Sequence, residues 1–123
     1  MPDWIREYFE HGYAQRWGLR PPSEQVRLEA GGLYELLGLS SRSLVVDVGC
    51  GHGRHAIALA ERGVGVIGID FTASLLTRAQ ELAAGRHLRT QWLRGDMRRL
   101  PLQSWRARDR ARLHTRGFGG LLP

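Results

Sequence analysis

Apolar residues along this chain change their spacing several times, and each change marks an element. Near the start, Trp4, Ile5, Tyr8 and Phe9 form pairs four apart, which places them on one face of a short helix. Gly12 loosens that helix before Tyr13, and Pro21-Pro22 stops anything helical from running through. Ser23 is positioned to cap a second helix, and Glu24 suits the positive end of its first turn. Val26, Ala30, Leu33 and Leu37 carry an apolar stripe along that helix, and Gly38 predicts its end. The Gly31-Gly32 pair inside it costs about 1–2 kcal/mol of helix propensity, so the helix needs a packing partner.

From Leu44 the pattern changes. Leu44-Val45-Val46-Asp47-Val48 is a β-branched run without polar alternation, which predicts a strand buried on both faces. It leads straight into Gly49-Cys50-Gly51-His52-Gly53. Helical spacing returns from Arg54 through Ile57, Ala58 and Ala60 until Gly63. A second buried strand, Val64 to Asp70, ends in a carboxylate. Thr72 is placed to cap a helix with Leu75, Leu76, Ala79, Leu82 and Ala83 on its inner face, and Gly85 closes it. Residues 88–94 are a third strand candidate, followed by Gly95-Asp96-Met97. This order predicts an α/β fold, the N-terminal part of a doubly wound, mainly parallel sheet, with strands near 44–48, 64–69 and 88–93 joined by right-handed crossovers.

After Leu102 the pattern lapses. Residues 103–117 show neither a strand alternation nor an amphipathic face, so no fourth strand is predicted. The chain divides on this reading into a helical cap (1–43), a partial α/β domain (44–102) and an atypical arginine-rich tail (103–123) that suggests an altered reading frame. An incomplete sheet would leave the first strand as an open edge, which predicts low stability and self-association through that edge.

A hydrophobic fraction of 42% excludes a disordered chain. No apolar run approaches the roughly 18 residues needed to cross a bilayer, and the start Met-Pro-Asp-Trp lacks a signal layout, so a cytoplasmic location and no membrane partner are expected. Cys50 is the only cysteine, which excludes a disulfide framework and a cysteine-rich metal site. His52 and His55 have no third ligand nearby in the sequence, so no metal is expected. The net charge is +6, and every basic residue is an arginine. Residues 1–102 hold 13 arginines against 11 acidic residues, whereas residues 103–123 hold five against Asp109 alone. The excess therefore sits in the tail, where only Trp105 accompanies the arginines, and a nucleic-acid partner is not favoured.

The candidate chemistry lies at the strand ends. Gly49, Gly51 and Gly53 permit backbone conformations that a Cβ would penalise and let a ligand approach the main chain. The helix after Gly53 directs free N–H groups at the same crevice. Asp70, 21 residues after Gly49, ends the neighbouring strand, where its carboxylate can accept both hydroxyls of a ribose. Asp96 follows the third strand on the same edge, placed to receive an adenine amine. These residues predict a pocket for an adenosine-containing ligand. A nicotinamide dinucleotide is the competing ligand, and with it an oxidoreductase fragment, because Gly51-His52-Gly53-Arg54-His55-Ala56 satisfies G-x-G-x-x-A. Asp47, two residues before the first glycine, argues against it by repelling a pyrophosphate, and the triplet from Gly49 has Arg54 where a third small residue belongs.

Val45-Val46-Asp47-Val48-Gly49-Cys50-Gly51-His52-Gly53-Arg54-His55 resembles the first motif of class I S-adenosylmethionine-dependent methyltransferases, an acidic residue before a G-x-G-x-G loop. Ile67-Gly68-Ile69-Asp70-Phe71, with Ser74 and Leu75, is similar to the family's ribose-binding strand end, and Gly95-Asp96-Met97-Arg98 to its adenine-side motif. The stretch from Trp4 to Leu37 is similar to the cap helices of small-molecule members, so the resemblance spans about residues 4–102. It implies a Rossmann-like methyltransferase fold whose three strands, with right-handed crossovers, are ordered 3-2-1, S-adenosyl-L-methionine as cofactor, and methyl transfer to an unidentified small-molecule acceptor. It further implies that Asp47 and Gly49 line the methionine part, with Cys50, Gly51 and Gly53 completing the loop. Asp70 would hold the ribose, Phe71 would cover one adenine face, Asp96 would accept from the adenine amine, and Met97 would pack beside the ring. No catalytic residue is implied, because substrate groups come from loops after the fourth and later strands. Since full members have up to seven strands, the resemblance implies a truncated, inactive or weakly active form, with a non-catalytic nucleotide-binding remnant as the alternative.

Overall fold

The computed structural model describes residues 3–8, 12, 18–96, 111–115 and 121–122. Its elements are α1 (Asp3–Glu7), α2 (Glu24–Leu36), β1 (Leu44–Val48), α3 (Arg54–Ala60), β2 (Gly65–Asp70), α4 (Ala73–Ala83), β3 (Thr90–Arg94), β4 (Ala111–Thr115) and β5 (Leu121–Leu122). Among the described residues no helix is long and apolar enough to cross a membrane.

The predicted helix signals act largely as the sequence indicates. Ser23 Oγ accepts the Val26 N–H at 3.2 Å, which starts α2, and Gly38 leaves it at φ +61. Val26 and Ala30 are buried, with Leu33, Tyr34 and Leu37 packed beside them on a core shared with Ala56, Leu59 and Ala60 of α3. The packing partner that the glycine pair of α2 requires is α3 and the turn after it. A Cβ at Gly31 would lie 2.5 Å from a guanidinium nitrogen of Arg62, whose charge sits 5.5 Å from the Tyr34 ring centroid. Around this contact Glu61 pairs with Arg27 (2.9 Å) and with Arg86, and His55 Nε2 meets Glu29 at 2.5 Å. The aromatic face expected on α1 is not covered: Trp4 is 71% exposed, and Tyr8 is also exposed. Phe9 and Tyr13 lie outside the described residues.

Among the described residues the sheet has five strands in the order β3-β2-β1-β4-β5. β3, β2, β1 and β4 run parallel, with Val48 opposite Ile69 and Asp70 opposite Arg94, and β5 is antiparallel to β4. The order 3-2-1 is as the resemblance implies. Val45 and Val66 face the α2–α3 core, while Val46, Val48 and Ile69 form a second cluster on the other face together with Ile67. β1 is buried on both faces, which is why its run lacks polar alternation. β3 starts at Thr90, two residues later than expected, because His87 turns the chain at φ +55 and Leu88 packs into the core before pairing begins.

One expectation fails. The sequence gives no fourth strand after Leu102 and leaves β1 as an open edge, but β4 pairs with β1 in parallel from Leu44↔Ala111 to Val48↔Thr115. The arginine content of the tail hid a short alternation, in which Ala111, Leu113 and Thr115 interleave with Arg112 and His114. Strand formation depends on context, and the unpaired backbone groups of β1 supply a template for an extended segment. The predicted self-association through that edge loses its basis, since the edge is already paired.

Candidate functional site

Parallel pairing brings the C-terminal ends of β1, β2 and β3 to one edge, so the residues that follow each strand converge there. Gly49 (φ +74), Gly51 (φ +61) and Gly53 (φ +82) all take the left-handed conformation, which folds the chain back within five residues before α3. The turn is fastened to the end of β2. The Ile69 carbonyl accepts from Gly49 N–H at 2.7 Å and from Cys50 N–H at 3.1 Å. Asp70 Oδ2 accepts from Gly51 N–H at 2.8 Å, and Asp70 Oδ1 accepts from Thr72 N–H at 2.9 Å. Gly53 N–H closes the turn on the Cys50 carbonyl at 3.0 Å. Asp70 thus meets the loop directly, well within the reach of one ligand.

The end of β3 is tied in by the same means. Gly95 N–H donates to the Asp70 carbonyl at 3.0 Å, and Arg94 Nε donates to the Phe71 carbonyl at 3.0 Å. Phe71, Gly95 and Asp96 are half-buried at the rim, together with Gly49, whereas Asp47, Gly51 and Asp70 lie beneath. Cys50 is 2% exposed and its thiol donates to the Gly51 carbonyl at 3.5 Å, a structural position. Met97 lies outside the described residues.

Two carboxylates give the floor its character. Asp47 is 1% exposed and Asp70 is 5% exposed. Burial pushes the Asp70 carboxyl above its ordinary range, the Thr72 and Gly51 N–H groups oppose that push, and the nearby Asp47 charge adds to it. The site is therefore a place of negative potential. Moreover, the N–H groups of Gly49, Cys50, Gly51 and Gly53 all point into the protein, onto acceptors already named. A loop that cradles phosphates presents those donors to the ligand instead. Both features disfavour a pyrophosphate and suit a neutral or cationic group. Among the described residues, no three of His, Cys, Asp and Glu gather so as to hold a metal ion.

Sequence reasoning missed Trp92. Its indole lies over the loop and β2: a Cβ at Gly53 would come within 2.6 Å of the ring, and one at Gly68 within 2.5 Å. The available signal was Gly68 itself, since a glycine inside a buried strand marks a close approach. Also missed was the attachment of the chain ahead of α2. His52 Nε2 lies 3.1 Å from the Arg20 carbonyl, and Arg78 Nε donates to the Leu19 carbonyl at 3.2 Å. A groove of about 330 Å³ at the opposite end of the strands, lined by Leu44, Ile67, Leu88 and Gln91 among others, is remote from this chemistry.

A family profile described as a methyltransferase domain matches residues 45–109. The chain belongs to that methyltransferase domain family. Among solved structures it is similar to S-adenosylmethionine-bound CalS10, an amino pentose methyltransferase from Micromonospora echinaspora involved in calicheamicin biosynthesis. That match has 26% identity and a TM-score of 0.56, covering 76% of this chain and 38% of CalS10. It is similar to the [4+2]-cyclase SpnF with 26% identity and a TM-score of 0.56, covering 61% of this chain and 29% of SpnF. A putative methyltransferase from Bacillus halodurans matches with 27% identity and a TM-score of 0.51, covering 58% of this chain and 32% of that one. The chain spans less than half the length of each of these structures. No curated protein matches it.

Proposed function

We propose that the crevice bounded by Gly49–Gly53, Asp70–Phe71 and Gly95–Asp96 binds S-adenosyl-L-methionine and serves methyl transfer to a small-molecule acceptor. The observation that carries this reading is the glycine turn with its N–H groups directed inward above two buried carboxylates, Asp47 and Asp70. That arrangement accepts an adenosine bearing a cationic sulfonium and ammonium, and it repels a dinucleotide's pyrophosphate. Each Asp70 oxygen accepts one backbone N–H and the Thr72 hydroxyl also meets the carboxylate, which leaves acceptor capacity for a ribose hydroxyl. Asp47 and Gly49 would line the methionine part, and the turn formed by Cys50, Gly51 and Gly53 would hold Asp70 in place. Phe71 would cover one adenine face and Asp96 would accept from the adenine amine, with Met97 beside the ring.

When bound, the cofactor supplies a methyl group already made electrophilic by its sulfonium. The residues of this site therefore bind and align, and none is required to donate a proton. The family match begins at Val45, which supports separating a cap (1–43) from the α/β body that starts at residue 44. A second reading, ligand binding without methyl transfer, is favoured by one observation: a protein of this fold at 26% identity is a cyclase.

Calorimetry on the purified chain tests the ligand. S-adenosylmethionine or S-adenosylhomocysteine should bind in preference to NAD, and Asp70→Ala should weaken binding by about 1.5–3 kcal/mol. Circular dichroism checks that the variant remains folded, with Asp70→Asn, which keeps one acceptor oxygen, as the milder change. Preference for NAD, or equal affinity in folded wild type and variant, refutes the assignment. A labelled-methyl assay over a panel of small acceptors separates the two readings.

A further inference from the structure

We propose that Gly18–Pro22 is a strap whose attachment is coupled to ligand binding at the glycine turn, with His52 and Arg78 as the positioning residues that fasten it. This rests on the adenosine-ligand reading above. Two successive carbonyls of the strap are captured by two separate elements. Leu19 is held by Arg78 Nε on α4 at 3.2 Å, and Arg20 is held by His52 Nε2 in the glycine turn at 3.1 Å. A carbonyl only accepts, so His52 carries its proton on Nε2 and donates it. His52 itself is 2% exposed, so its ring is held firmly beneath the exposed Arg20 and the bond is half-buried.

The strap geometry is not one the chain adopts by preference. Gly18 has φ +75 and is followed by Leu19 at φ +41, in the region that disfavours a side chain. Pro22 is buried and leads into Ser23, the cap of α2. The fastened conformation therefore depends on His52, Arg78 and Pro22 to hold it. Below the strap, α2 has independent anchors in the Arg27–Glu61 and His55–Glu29 pairs. Release of the strap therefore need not release the helix.

The coupling follows from the position of His52, between Gly51 and Gly53 in the turn proposed to face the ligand. The backbone of the turn is held by the sheet, so a ligand seated on it acts on His52 itself, favouring the orientation in which the ring presents its donor to the Arg20 carbonyl. Reciprocity then requires that an attached strap raise ligand affinity by the factor with which ligand favours attachment. His52 acts through the Arg20 carbonyl and Arg78 through the Leu19 carbonyl.

Amide exchange of Gly18, Leu19, Arg20 and Ser23, the residues of this stretch that carry a backbone N–H, with and without saturating S-adenosylhomocysteine, tests this on the whole chain. In the wild type the ligand should slow exchange of the strap. His52→Ala should abolish that slowing and weaken binding about three- to tenfold, the factor for one lost hydrogen bond. His52→Gln, whose amide can donate to the same carbonyl, should restore both, which a merely space-filling role would not require. Arg78→Ala should speed exchange at the strap while exchange in β1 and β2 stays as in the wild type. Strap exchange indifferent to bound ligand, or His52→Gln behaving like His52→Ala, overturns the proposal and leaves the ligand assignment intact. Absence of any S-adenosylhomocysteine binding by the wild type refutes the ligand assignment and the coupling together.

Discussion

Gly68→Ala tests how closely β2, the glycine turn and Trp92 are fitted to one another. Gly68 has no unusual backbone conformation, so alanine is compatible with its φ and gains roughly 0.5–1 kcal/mol over glycine inside a strand. The space is the obstacle. The new Cβ would lie 2.5 and 2.6 Å from two carbons of the Trp92 ring and 2.9 Å from Cys50 Sγ. The ring has little freedom to slide away, because it also lies against Gly53, where a Cβ would meet it at 2.6 Å. Overpacking of this kind costs about 1–3 kcal/mol, so a net destabilisation of about 1–2 kcal/mol is expected. With Trp92→Val the two shortest contacts are removed and the Cys50 Sγ contact at 2.9 Å remains, so the cost of Gly68→Ala should fall to about zero. Urea unfolding of the wild type, both single variants and the double variant, followed by far-UV circular dichroism, measures the cycle. The same loss from Gly68→Ala with and without Trp92 would show that the indole does not fill this space.

Two further expectations concern the attachment of the cap. Ser23→Ala removes the acceptor for the Val26 N–H and should cost about 1 kcal/mol in urea unfolding, with Ser23→Asn largely preserving stability. The Arg27 and Arg86 guanidiniums hold the Glu61 carboxyl below its ordinary range, with the Arg27 hydrogen bond as the main cause and burial opposing it. A depressed folded pKa stabilises above the unfolded value of 4.5, and that stability is lost as pH falls through the folded value. Glu61→Gln should therefore lower the melting temperature at neutral pH, and the difference should shrink on acidification. A difference that persists once the carboxylate is protonated would contradict this account.

The sequence exposes what local chemistry determines. Val45, Val46 and Val48 show a doubly buried strand, Ser23 and Gly38 bracket α2, and the positive-φ positions of the turn are all glycines. Asp70 was legible because it ends a strand adjacent to that turn in a parallel sheet. Contacts made across the fold were not. Trp92 meets Gly53 and Gly68 only once three strands are assembled, and the capture of Leu19 by Arg78 joins residues 59 positions apart. His55 illustrates the same limit: nothing in its place beside the glycine turn shows that its ring pairs with Glu29 on α2. β4 escaped notice because its pairing with β1 arises from a neighbour, while its own composition reads as charged.

The Ile69 carbonyl receives two successive N–H groups of the glycine turn, and the Asp70 side chain receives the next. The turn is therefore shaped as β1 and β2 pair, and its conformation is inherited from the sheet. Any remodelling of what this crevice accepts must work through the strand-end side chains, since a change to the turn would disturb the register of the strands that support it. Under the proposed function, ligand choice would be tuned at Phe71 and Asp96 on the half-buried rim, whereas Gly49 and Gly51 are bound to the folding of the protein itself. Random mutagenesis followed by selection for folded protein alone would consequently retain both glycines, with or without any demand for activity.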